Sequence, residues 1–190
     1  VFSISVFLFF SFSDFLLFLP NVSVLSQRGH LTKSKIFQFK IQLNDIKPLI
    51  WRRVQVSSTI TFANFHKILQ IVMGWEQCHL YEFRVNGKSG TEGIGPIFDD
   101  GFECPIDDKT VKLDKVFTEE KQKITYVYDF GDGWEHKITL EKIAEPDEKP
   151  YPRCISGKRA CPPEDCGGAW GYENLLEILG DPKHVEHEHM

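Results

Sequence analysis

The sequence predicts an α+β fold: a mainly antiparallel sheet with helices packed on one face. Three observations predict it. Apolar and polar residues alternate through "KIFQFKIQL" and again on both sides of "FGDG", the period of half-buried strands. Between these runs Phe62, Phe65, Leu69 and Val72 recur at helical spacing and make one apolar stripe. The elements fall in the order ββαβ, a connection, ββ, a loop, then α, a pattern that suits helices layered on an antiparallel sheet. The opening ββαβ is compatible with a β-grasp-like arrangement.

In the first strand Phe37, Phe39, Ile41 and Leu43 share one face, and Gln38, Lys40 and Gln42 the other. "NDIKP" turns the chain into "LIWRRVQVS", a second strand with Ile50, Val54 and Val56 inward. Thr61 is placed to cap a helix over Phe62 to Met73, and Gly74 to end it. "HLYEFRVNG" reads as a third strand closing in an Asn-Gly turn. Residues 88 to 109 are rich in Gly and Asp and read as a long connection holding one short strand. "VKLDKVF" fits either a helical turn or a strand. "KITYVYDFGDGWEHKITLEKI" is a β-hairpin, with Trp134, His136, Ile138 and Leu140 on one face of the return strand. After a cysteine-containing loop, Tyr172, Leu175, Leu176 and Leu179 mark an amphipathic helix.

The chain has 190 residues, 42% hydrophobic and 26% charged, enough apolar material for one cored domain without disulfide staples. Its five cysteines are an odd count without the dense spacing of a secreted disulfide framework. A reducing, cytoplasmic setting for the folded domain follows. The net charge of −5 argues against a general nucleic-acid binder. Lys47, Arg52 and Arg53 form one local basic cluster, in which the arginines alternate with apolar residues and face water.

Residues 1–25 stand apart. They are almost entirely Phe, Leu, Val and Ser, with Asp14 as the one charge. Three readings fit: a membrane anchor or signal remnant, translated upstream sequence foreign to the natural protein, or a core element. Only the first would bring the chain to a membrane. Residues 26–34 read as a polar linker and 35–190 as the folded domain. The final "GDPKHVEHEHM" reads as the first turn of a further helix, cut short at the C-terminus.

Four motifs in series, "IKPLIWRRVQV", "NFHKILQIVMGWEQCHLYEF", "YVYDFGDGWEHKITLE" and "YPRCISGKRACPPEDCGGAWGYENLLEIL", resemble the plasmid pRiA4b ORF-3-like family. The resemblance covers residues 35 to 189 and leaves the hydrophobic head without a counterpart. It implies an association with mobile elements, since some members are labelled transposon resolvases or passengers of insertion elements. It implies no established chemistry. Neither recombinase constellation is present: no Ser set among arginines, no Tyr with an Arg/His set.

Candidate site residues come from four places. Cys161 and Cys166 have C-x4-C spacing, and Cys154 lies just upstream. With His136 as a fourth ligand they are the candidates for zinc; as buried thiols they would simply act as small apolar side chains. "GDGWEH" offers Asp132, Trp134 and His136, with Asp132 between two glycines as a turn former. "PPED" offers Glu164 and Asp165, a cation or acid–base pair or a cap for the following helix. "CHLYEF" offers His79. Cys104, in "FECPIDD", reads as loop or core. No P-loop, HExxH or GxSxG is present. The combined expectation is a small binding or interaction module with a protein partner. A metal-dependent enzyme with a Cys/His site and a DNA-associated accessory factor stand as alternatives.

Because the head has no apolar partner pattern in the domain, a chain beginning at Ser34 should fold cooperatively by itself. Urea unfolding of that shorter chain checks this; aggregation where the full chain stays soluble would place the head in the core.

Overall fold

The structure, a computed structural model, describes residues 34–87, 90–97 and 106–189. The segment 1–25, the linker up to residue 33 and Cys104 lie outside the described residues. The domain is α+β. Its strands are β1 (Ile36–Leu43), β2 (Trp51–Ser57), β3 (Tyr81–Gly87), β4 (Gly90–Gly95), β5 (Ile106–Asp107), β6 (Lys123–Tyr128), β7 (Trp134–Ala144) and β8 (Arg153–Lys158). Its helices are α1 (Phe62–Met73), α2 (Leu113–Val116) and α3 (Gly168–Gly180). The strands form one eight-stranded sheet, ordered β5-β4-β3-β6-β7-β1-β2-β8. Every pairing is antiparallel except β4 with β5. Among the described residues no helix is long and apolar enough to cross a membrane.

Alternation builds the core. Phe37, Phe39, Ile41 and Leu43 of β1 are buried, as are Val54 and Val56 of β2 and Trp134, His136, Ile138 and Leu140 of β7. Helix α1 lies on this face, its Phe65 ring 4.9 Å from Phe39 and its Phe62 ring 5.0 Å from Phe83. The Thr61 hydroxyl accepts the Asn64 N–H at 3.3 Å, and Gly74, at φ 86°, ends the helix. A left-handed residue at that point is what glycine permits cheaply.

Three expectations need correcting. The stretch 88–109 holds two strands, not one: β4 completes a hairpin with β3, and β5 pairs parallel to β4. Strand β4 was hidden because "GTEGIG" carries little apolar alternation. The cysteine loop begins with strand β8, antiparallel to β2, with a register shift opposite Arg53/Val54. Ile155 falls at that bulge and is exposed. In α3, Leu176 and Leu179 are exposed, while Tyr172 and Ile178 are buried. Past Gly180 the chain makes successive turns through residue 189. "VKLDKVF" resolves as the helical turn α2.

Trp134 is 2% exposed, its ring 6.1 Å from Trp75. Trp134→Ala should therefore cost roughly 3–5 kcal/mol, the range for emptying a large aromatic site. Chemical denaturation checks it; a loss below about 1 kcal/mol would contradict this packing.

Candidate functional site

Three loops converge at the end of α1. The first carries Trp75 to Leu80 back into β3. The second follows β6, where Tyr128 and Asp129 begin the "DFGDG" turn. The third is "PPED", between β8 and α3. Trp75 joins them: its indole N–H donates to the Pro162 carbonyl at 2.9 Å, and its ring stacks 4.9 Å from Tyr128.

His79 sits at the meeting point. Its Nε2 lies 3.1 Å from Asp165 Oδ1, 3.7 Å from Asp129 Oδ2 and 3.9 Å from Glu164 Oε2. Glu164 is anchored through its other oxygen, which accepts from the Glu76 N–H at 2.8 Å and the Tyr128 hydroxyl at 2.9 Å. Asp129 Oδ1 accepts the Gly131 N–H at 2.9 Å. Cys78 Sγ lies 3.8 Å from the Tyr128 hydroxyl. Burial, and then the bond to Glu164, push the Tyr128 phenol up. Two overlapping sets of ligand atoms result, each within 4.8 Å: Cys78, His79, Glu164 and His79, Asp129, Asp165.

Two features separate this cluster from ordinary surface polarity. His79 Nε2 and Glu164 Oε2 are buried atoms without a hydrogen-bond partner, an arrangement that costs energy unless something satisfies it. The 3.1 Å approach of Asp165 to Nε2 is an ion-pair distance that does not supply a hydrogen bond. The backbone around the cluster is also strained: Gln77, Asp129 and Asp165 have φ of 61°, 54° and 55°. Such conformations cost on the order of 1 kcal/mol each and cluster at functional sites. Beside His79 an open groove of about 500 Å³ is lined by His66, Lys67, Gln77, Cys78 and Tyr81 among others.

Of the sequence candidates, His79, Glu164 and Asp165 come together here. The others lie elsewhere. Asp132 Oδ2 accepts the Gly167 N–H at 3.1 Å and so ties the turn to the start of α3. Its carbonyl would lie 2.5 Å from a Cβ on Gly168, so only glycine fits there. Trp134 and His136 are core residues. Cys161 Sγ accepts from Arg52 Nη2 at 3.1 Å and approaches Met73 Sδ at 3.6 Å. Cys154 Sγ donates to the Ser156 carbonyl at 3.6 Å. Burial pushes the Cys161 and Cys166 thiols up to about 11 and raises Cys154 as well, so all three are held as thiols. Among the described residues, neither metal-competent set includes Cys154, Cys161, Cys166 or His136. The described cysteines are free.

Residues 35–190 match the family described as plasmid pRiA4b ORF-3-like protein. The chain belongs to that family. It is 37% identical over 155 residues to the uncharacterized protein y4hQ of Sinorhizobium fredii, covering 81% of this chain and 78% of that one. It is similar to the crystal structure of MM3350, a protein of unknown function from Methanosarcina mazei Go1. The TM-score is 0.75 and the identity 44%, over 83% of this chain and 88% of that one. The site of this pRiA4b ORF-3-like chain also uses residues that sequence reasoning passed over: Asp129, Cys78 and Tyr128. "YDFGDG" did carry a signal for Asp129, an aspartate where strand meets turn, but Asp132 between two glycines drew the attention.

A buried polar network lies beneath the groove. Gln70 Nε2 donates to the Tyr126 hydroxyl at 3.0 Å, leaving that hydroxyl to donate to His66 Nδ1 at 2.8 Å. Burial lowers His66 to about 3 and His136 to about 4, so both are neutral in the fold. With an unfolded value of 6.5, the unfolded chain binds more protons at acid pH. Stability is then full above about pH 6.5 and falls as pH drops toward those lowered values. His136 alone should remove roughly 2–3 kcal/mol between about pH 7 and pH 4.5. Urea unfolding across that range, repeated on His136→Gln, checks it: the variant should lose less on acidification.

Proposed function

We propose that this chain is a divalent-cation-dependent binding module, with His79, Asp129, Glu164 and Asp165 holding the metal. The observation that supports this most is the orphaned pair: His79 Nε2 and Glu164 Oε2, both buried and 3.9 Å apart, face each other with no hydrogen-bond partner. A cation between them would satisfy both and offset the mutual repulsion of the carboxylates. One imidazole with carboxylates suits zinc or manganese, and Cys78 beside them favours zinc. This moves the zinc reading from the cysteine loop to the His79 cluster. The groove opens beside the cluster, with His79 in its lining. A ligand entering there could bind the metal, which keeps metal-dependent catalysis within this reading. The four cysteines among the described residues are free, which accords with a cytoplasmic setting. A second reading, a module that docks a protein partner of a mobile element, draws on Trp170, which is 80% exposed on the first turn of α3.

Calorimetric titration of metal-stripped protein with zinc and with manganese tests the first reading. One equivalent should bind, and metal at a hundred times Kd should stabilise the fold by about 2.7 kcal/mol. His79→Ala and Asp129→Asn should each abolish that stabilisation while Cys161→Ser retains it. Stabilisation lost in Cys161→Ser but kept in His79→Ala would return the metal to the cysteine loop.

A further inference from the structure

The face of the sheet opposite α1 carries an independent feature. Side chains in register across five strands stand in two neighbouring rows. One row reads Lys123, Thr139, Lys40, Arg53, Ser156, and the other Thr125, Lys137, Gln42, Trp51, Lys158. Across five strands each row spans about 19 Å. The rows contain five cations, one tryptophan and no carboxylate. Arg53 is occupied by Glu141, which lies at the β1–β7 bulge. Farther along the face, Arg84 holds Glu82 and Glu135. Among the described residues no salt bridge joins Lys40, Lys123, Lys137 or Lys158 to a carboxylate, though Lys40 stands near enough to Glu141 to help Arg53 hold its carboxyl low. Lys40 and Arg53 lie 5.5 Å and 5.1 Å from the Trp51 ring.

We propose that this open face binds single-stranded nucleic acid, with Trp51 stacking on a base and the lysine rows neutralising phosphates. Charge complementarity argues for an anionic polymer, because four lysines outside any salt bridge line a surface from which acids are absent or already held. The aromatic within the rows argues for bases over an acidic peptide, since stacking on a sheet-borne aromatic ring is how single strands are held without sequence preference. A duplex fits less well, because among the described residues no helix or ribbon rises from this face to enter a groove. The net charge of −5 does not oppose the proposal. Much of it comes from carboxylates on other surfaces, including the cluster around His79.

Fluorescence anisotropy of the full chain with labelled oligothymidylate tests it, alongside the same titration read by tryptophan quenching. Saturable binding should appear at about 50 mM salt and weaken roughly fiftyfold at about 200 mM, as four phosphate contacts on a single strand require. The triple variant Lys40→Glu, Lys137→Glu, Lys158→Glu should lose at least tenfold, and Trp51→Ala about tenfold. Chelator should leave the binding unchanged, which separates this surface from the His79 cluster. Absent binding at low salt, a flat salt dependence in the unmodified chain, or undiminished binding by folded triple variant would each overturn the proposal. So would polyglutamate binding as tightly with the same quenching, which would make the partner an acidic protein surface.

Discussion

Trp75 is the joint on which the site depends. Helix α1 ends at Gly74 in a left-handed turn, and the next residue drops its indole between the β6–β7 hairpin and the cysteine loop. There it bonds to the Pro162 carbonyl, stacks on Tyr128 and meets His136 edge-on at 5.2 Å. Each contact is modest: about 1 kcal/mol net for the hydrogen bond and a similar amount for an aromatic pair. Their importance is geometric. Pro162 lies just before Glu164, Tyr128 just before Asp129, and Trp75 just before Cys78 and His79. One buried ring thus sets the mutual position of all three loops that supply the cluster.

The cluster and the cysteine loop show opposite kinds of local accounting. Each described sulfur of the loop that makes a polar contact has its own partner: Cys161 has Arg52 and Met73, and Cys154 the Ser156 carbonyl. With raised thiol pKa values these side chains behave as packing groups, which answers for their density in the sequence. Around His79 the local terms conflict. Carboxylates crowd one imidazole, two buried atoms lack partners, and three non-glycine residues take left-handed backbone. A fold that is consistent nearly everywhere tends to concentrate its inconsistencies where it functions.

Period and capping made much of the fold legible. β1, β2, α1 with both its caps, and the β6–β7 hairpin follow from alternation, Thr61 and Gly74 read alone. What stayed hidden was hidden for stated reasons: β4 is glycine-rich, β8 is interrupted by a bulge, and α3 turns Ile178 inward where Leu176 and Leu179 looked the better core. Half of the site was legible in the same way. His79, Glu164 and Asp165 could be picked by residue type, but more than eighty residues separate His79 from Glu164. Their convergence depends on the order of strands, which pairing periodicity cannot supply. Asp129 has a double part that its type alone does not show: one carboxylate oxygen serves the turn through Gly131 and the other faces His79.

The same period-two geometry separates charges that composition adds together. Arg52 and Arg53 are neighbours in the "IKPLIWRR" cluster, yet a strand sends them to opposite faces. Arg52 points toward α1, where its guanidinium group binds the Val72 carbonyl at 2.9 Å and the carbonyls of Trp51 and Lys158. It works there as a strap that ties β2 and β8 to the helix, and Gly157 is glycine because a Cβ would come within 2.8 Å of the Arg52 side chain. Arg53 points the other way and takes up Glu141, leaving the lysines of its row outside any salt bridge among the described residues. A net charge sums over both faces and both ends of the sheet. Each face carries its own balance, so a chain that is acidic overall gathers carboxylates around His79 and lysines across the sheet face opposite α1.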